Sequence, residues 1–352
     1  MKNNMVPIIF TAFFLTLVSC GSETAEKGEK TDSTDPAENL PSHINRLTYF
    51  GQRADWSHDG TKILFLAKTF GDVYEVEVET GIIRPVTHHY YHEGYVRALY
   101  LSNGDILLSG AREFNAEDPL PSRHSEAELW VLDKSLKAPP VRLNEKCSEG
   151  PAVSRTRMRI AWRVDYGDYP ERLEEGTVQI WMGDIEYQDG IPQIVNRKLI
   201  LDNRDLPFAS EPEPQNFRPP DEQELIFSSY GYQGCDVMGI SLESGEVVNY
   251  SNAPDQYDEP EGIYPDGLYT LVECDHHRAE GVPTGMRNID IFKLRLDGSG
   301  ELERLTFFND YPGGKASNPV VSDDGSRMAF QMARTQDMAG VGYGIFIYDL
   351  SR

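Results

Sequence analysis

The apolar and polar positions of this chain fall into one recurring pattern. Apolar residues alternate with polar ones, stop at a glycine-containing turn, and resume; this period of two predicts half-buried strands, not helices. The clearest copy is Ala54-Asp55-Trp56-Ser57-His58-Asp59-Gly60-Thr61-Lys62-Ile63-Leu64-Phe65, and a second runs over 319–330 around Asp324-Gly325. Weaker copies surround Asn103-Gly104 and Asp266-Gly267, and two degraded ones start near Pro151 and Pro214. Asp-Gly and Asn-Gly accept the positive φ of a tight hairpin, so each good copy predicts strand, turn, strand.

A third and a fourth strand follow each hairpin. Residues 72–78 alternate cleanly and turn at Thr80-Gly81 into 82–87, and the stretches at 235–242 and 289–296 repeat the arrangement. Units start near 54, 97, 151, 214, 260 and 318. The first spacing suits one four-stranded blade, and the longer ones are blades with loop insertions. Arg46-Leu47-Thr48-Tyr49-Phe50 nearly copies Arg304-Leu305-Thr306-Phe307-Phe308, the fourth strand of the fifth unit, yet stands before the first unit. The sixth unit runs only to its third strand, 345–350. The expectation is an all-β, six-bladed β-propeller over 44–352, closed by an N-terminal strand that completes the last blade and removes an open edge.

Composition narrows the function classes. The chain has 352 residues, 39% of them hydrophobic, and 33 Lys+Arg against 57 Asp+Glu give a formal charge of −24. Such an acidic surface repels phosphate backbones, so no nucleic-acid partner is expected. Nucleophile-elbow, phosphate-loop and dinucleotide glycine motifs are missing from the sequence, as is any Cys-x-x-Cys pair.

The N-terminus reads separately from the repeat. A short, weakly basic start precedes an apolar run over 5–18 that is too short to span a bilayer comfortably. Leu17-Val18-Ser19-Cys20 resembles the bacterial lipobox. That resemblance implies that 1–19 is a lipoprotein signal peptide, that Cys20 carries the lipid, and that the protein sits in a bacterial cell envelope, in the periplasm or at the outer membrane, with the membrane as a partner through that lipid. Residues 20–43 then read as an acidic, disordered tether, with no aromatic residue. Cys147, Cys235 and Cys274 remain, which allows one disulfide at most.

The Trp56-Ser57-x-Asp59-Gly60-x-Lys62-Ile63 pattern and the Leu-Thr closing strand resemble the TolB-type propeller repeats of bacterial envelope proteins. The resemblance implies a six-bladed propeller. It does not carry TolB's own role, because that family places a separate α/β domain before its propeller.

In such a fold the tight turns share one face and the long connections at 88–96, 111–127, 163–176, 203–214, 275–288 and 332–343 share the other, which marks it as the binding face for a protein or glycan ligand. Arg97, Arg112, Glu149, Arg163, Glu213, Glu261 and Lys315 fall at strand ends there and form the expected ligand-binding set, with Trp162, Tyr230 and Tyr264 as stacking surfaces. Five of eight histidines lie in His88-His89-Tyr90-Tyr91-His92 and Asp275-His276-His277. No cofactor is expected from the motifs; a divalent metal is the one addition this chemistry supports, with His88, His92, His276 and Gln331 as its ligands.

Two functions follow. The first is an envelope lipoprotein whose propeller binds a partner or glycan without catalysis. The second is a polysaccharide lyase acting on uronic acids by β-elimination, with Arg112, Arg163, His92 and His276 as its catalytic set. It rests on a weaker resemblance to the oligogalacturonate-lyase family, in which Gln331 matches the metal-binding glutamine. The chain departs from that family at Ser317-Asn318-Pro319, where closely spaced histidines would stand.

Overall fold

Alternating segments pair wherever the tight turns predict it. The computed structural model of the protein describes residues 34–148, 150–337 and 340–352; the expected signal peptide, Cys20 and Glu149 lie outside the described residues. The chain opens with β1 (Ile44–Arg46). The first four-stranded sheet is β2 (Gln52–Trp56), β3 (Lys62–Leu66), β4 (Val73–Glu77) and β5 (Ile83–Pro85). The second is β6 (Arg97–Tyr100), β7 (Ile106–Ala111), β8 (Ala127–Leu132) and β9 (Val141–Lys146). The third is β10 (Ala152–Val153), β11 (Arg159–Asp165), β12 (Val178–Gln188) and β13 (Ile191–Asp202).

The next eight strands form a single sheet: β14 (Glu211–Phe217), β15 (Glu224–Tyr230), β16 (Gly234–Ser241), β17 (Val247–Asn249), β18 (Gln256–Ile263), β19 (Tyr269–Cys274), β20 (Asp290–Arg295) and β21 (Leu302–Arg304). The last sheet holds β22 (Gly314–Val321), β23 (Arg327–Arg334), β24 (Ile345–Asp349) and, at its outer edge, β1. The fold is all-β with a propeller arrangement.

Two expectations are corrected here. Six separate four-stranded sheets were expected, whereas four stand alone among the described residues and the other eight strands are joined. The joint is parallel pairing of β16 with β18 through Gly234 with Gln256 and Cys235 with Tyr257. Only a glycine allows it, because Gly234 has φ +112 and a Cβ there would stand 2.1 Å from the Gln256 carbonyl oxygen. The closing strand is Ile44–Arg46, not 46–50. Its register sets Ile44, Asn45 and Arg46 against Tyr348, Ile347 and Phe346. In the stretch ahead of it Pro36 is buried, and Ala37 and Leu40 pack against the last sheet.

The Leu-Thr signature has a structural cause. Two residues past an outer strand, a hydroxyl accepts an N–H of the third strand: Val73 to Thr87 at 3.0 Å, Val237 to Ser251 at 3.0 Å and Ile291 to Thr306 at 2.9 Å. Each hydroxyl then donates to the aspartate one residue earlier, Asp72, Asp236 or Asp290. Thr48 makes the same tie to Ile345 at 2.8 Å, so the N-terminal segment occupies the outer position of the last sheet. Between sheets the alternate side chains interdigitate. Phe308, Phe330 and Phe346 cluster with ring centroids about 5.5 Å apart, and burying one such ring contributes roughly 1.5–3 kcal/mol. Trp56 is wholly buried and donates its indole N–H to Val320 O at 3.2 Å, which ties the first sheet to the last.

Candidate functional site

Tyr257 and Glu259 alternate along β18 and so face one way, and Glu261 follows at the irregularity between Pro260 and Gly262. They look into a cavity of about 350 Å³ on the long-loop end of the molecule. Arg123 and His124, Asp165, Glu211, Met286 and the segment around Asp337 reach it from the long connections, as the sequence led one to expect. Arg97, Arg163, Glu213, Glu261, Lys315 and Gln331 all line it. The geometry therefore brings together most of the polar set read from the sequence.

The floor is a group of buried glutamates. Glu213, Glu261 and Glu273 expose 6%, 8% and 5% of their surfaces. Glu261 accepts the Asn318 amide at 2.7 Å and stands 3.6 Å from Arg97 Nη2. Glu259 accepts both the Tyr230 and Tyr257 hydroxyls. Burial, reinforced by the charge of Glu261, lifts the Glu259 carboxyl to about 7. Glu273 is pushed well above the carboxylate range by burial first and by Glu259 and Glu261 next, against Lys315 and the Asn318 N–H. Arg163 is held charged by Glu213, Asp165 and Glu211, which together outweigh its own burial. Its guanidinium lies 3.3 Å from Asp165 and 3.4 Å from Glu211.

Strained backbone serves this floor. Asn318 has φ +49 at the irregularity in β22, and from there its N–H reaches Glu273 at 2.6 Å. Arg53, with φ +54 at the matching irregularity in β2, donates its N–H to Gln331 Oε1 at 2.6 Å. Arg53, Tyr257, Glu259, Glu273 and Asn318 were missed by sequence reasoning. The alternation Tyr-x-Glu-x-Glu and the Asn-Pro step were the available signals.

Other expected residues lie elsewhere. Arg112 lines a separate cleft with Glu113, Phe114, Glu126 and Lys146, because the chain turns outward after β7. His92 is occupied with Asp72 at 3.1 Å, and His276 with Asp258 at 3.1 Å. His88 is exposed beside His89. The four catalytic candidates are therefore not gathered, since only Arg163 reaches the cavity, and the four metal candidates are likewise dispersed. Trp162 is core, not a stacking surface, and Tyr264 packs with the core near the last sheet; Tyr230 alone of the three reaches the cavity. Cys147, Cys235 and Cys274 are all buried, and no disulfide joins any two of them.

A second cavity of about 330 Å³ opens on the tight-turn face. Its walls are largely proline and aliphatic, and Arg155 spans it, donating to Asp323 at 2.8 Å and to Trp56 O at 2.8 Å. Arg97 and Glu261 line both cavities and so form the partition between them.

No family model matches the sequence, and no curated protein matches it. Among solved structures the chain is similar to TolB from Acinetobacter baumannii, at 15% identity and TM-score 0.45 over 84% of this chain and 67% of that one. It is similar to an oligogalacturonate lyase from Vibrio parahaemolyticus, at 13% identity and TM-score 0.48 over 87% and 93%. It is also similar to U3-55K, at 8% identity and TM-score 0.50 over 88% and 99%. Likeness at these identities concerns the fold alone. Among the described residues no helix is long and apolar enough to cross a membrane.

Proposed function

We propose that this protein is a binding propeller, tethered to a membrane through Cys20, whose long-loop cavity receives a cationic group of a protein or glycan ligand. In this reading the eight-stranded sheet serves as two adjoining blades of six. The observation that supports it is the floor itself: Glu259, Glu261 and Glu273 lie within one buried group, and two of them are pushed toward protonation. An ammonium or guanidinium entering there exchanges that self-repulsion for charge-assisted hydrogen bonds. Binding fits better than β-elimination, because Arg112, His92 and His276 lie outside the cavity.

The test is a panel of glycans, amino sugars and uronic acids included, and of lysine- and arginine-containing peptides. Binding is measured by calorimetry, and the ultraviolet absorbance of an unsaturated product is followed in parallel. Binding of an amine-bearing member, weakened by Glu261→Gln and unaffected by Lys62→Ala on the opposite face, supports the reading. An absorbance signal from uronic-acid glycans overturns it in favour of a lyase. Membrane anchoring is checked by fractionation of Cys20→Ser, which is expected in the soluble fraction.

A further inference from the structure

We propose that Asp258, Cys274 and His276 form a transition-metal site, of the kind zinc occupies, where β18 begins and β19 ends. Asp258 on β18 and Cys274 on β19 are direct cross-strand partners, so their side chains leave the same face of the sheet. His276 follows two residues beyond the end of β19. One donor atom from each residue lies within 4.8 Å of the other two. His276 Nε2 stands 3.1 Å from Asp258 Oδ1, and the His276 N–H donates to Cys274 Sγ at 3.5 Å.

The donor set decides the class of ion. One sulfur, one imidazole nitrogen and one carboxylate oxygen suit zinc and its neighbours, whereas calcium and magnesium favour oxygen alone. Three protein donors leave a fourth tetrahedral position. That position has a way in, because the His276 side chain is 30% exposed while Asp258 is 1% exposed and Cys274 is fully covered.

A second observation points to a missing cation. Nε2 of His276 serves both Asp258 oxygens, hydrogen-bonding Oδ2 at 3.2 Å and standing 3.1 Å from Oδ1, which is buried and makes no hydrogen bond. Native proteins rarely leave a carboxylate oxygen in that condition. Asp275 fixes the turn that carries His276, accepting from Tyr257 N at 2.8 Å, Thr284 Oγ1 at 2.8 Å and Gly285 N at 2.9 Å. The set is not a by-product of the repeat. Counted from the Asp-Gly turn, the equivalent pair in the last sheet is Ala316 with Met332, which offers no metal donor of this kind.

The full chain is stripped with a chelator and titrated with cobalt(II), then with zinc(II). One equivalent of cobalt is expected to produce a near-ultraviolet sulfur-to-metal charge-transfer band and the visible bands of a tetrahedral site, both lost on zinc addition. Cys274→Ser, confirmed folded by circular dichroism, abolishes the charge-transfer band. Asp258→Asn and His276→Gln weaken cobalt binding by at least about tenfold. Cys235→Ser and the cavity variant Glu261→Gln leave it intact. Absence of a thiolate band in the folded protein, or its survival in Cys274→Ser, overturns the site without touching the ligand-binding reading.

Discussion

Thr48 and Ile345 are separated by 297 positions and joined by a 2.8 Å hydrogen bond from the Ile345 N–H to the Thr48 hydroxyl. Thr48 is 1% exposed. Replacing it with valine keeps the shape and leaves a buried N–H without its acceptor, which costs about 1–3 kcal/mol. Thr80, an exposed turn hydroxyl bonded to Glu77, provides the comparison. Urea unfolding is expected to show a clear loss for Thr48→Val and almost none for Thr80→Val. Equal midpoints would mean that the N-terminal strand does not hold the last sheet.

Gly344 stands where the other outer ties place an aspartate. Its φ is +120, and a Cβ would sit 2.1 Å from the Thr48 carbonyl oxygen. Gly81 also has positive φ, yet nothing lies within 4 Å of its Cβ position. Gly81→Ala is therefore expected to cost about 1 kcal/mol from the backbone alone. Gly344→Ala adds a backbone clash and should cost several times as much. Comparable losses in thermal unfolding would show that the N-terminal segment yields easily.

These two cases mark what the sequence could carry. Asp59-Gly60 and Asp324-Gly325 state their turns locally, and the copied Leu-Thr pair exposes the closure because the same hydroxyl tie recurs. The joining of β16 to β18 rests on one glycine meeting one distant carbonyl, and no local pattern encodes that. The cavity was legible where residues sit at inner-strand starts, as with Arg97 and Glu213. It was illegible for Glu273, whose place depends on which of its strand's two faces turns inward. Arg112 was misplaced because the long loop after β7 carries it away from the axis. Asp258, Cys274 and His276 come together through strand register, a relation invisible in the spacing of the histidines.

Glu259 sets a pH dependence. Its carboxyl titrates at about 7 in the folded protein against an ordinary 4.5. Between these values the folded state holds a proton that the unfolded chain has released, so rising pH lowers the unfolding free energy. Asp168, lifted by burial to about 7, acts in the same direction. Stability measured in urea is expected to decline from about pH 4.5 toward about 7, and Glu259→Gln should flatten part of that decline. An unchanged slope in the variant would place the titration elsewhere. The ionised carboxylate is also the form that attracts a cation, so binding of an amine-bearing ligand should strengthen over the same range.

Arg97 and Glu261 partition the axis, with Nη2 3.6 Å from Oε2 and side chains only 15% and 6% exposed. A pair this enclosed gains little net stability, because desolvation offsets most of its attraction, but removing one partner strands the other. Arg97→Met is therefore expected to cost about 3–5 kcal/mol, and the double variant Arg97→Met with Glu261→Leu substantially less. A double-mutant cycle in urea reads the coupling, and additive losses would show that the two charges act independently. The same arginine competes for the glutamate that an incoming ammonium would use. Arg97→Met should accordingly tighten binding of an amine-bearing ligand while weakening the fold, and Glu261→Gln should weaken binding. If both variants lower affinity equally, Arg97 is a contact for an anionic ligand and the charge preference proposed for the cavity is reversed.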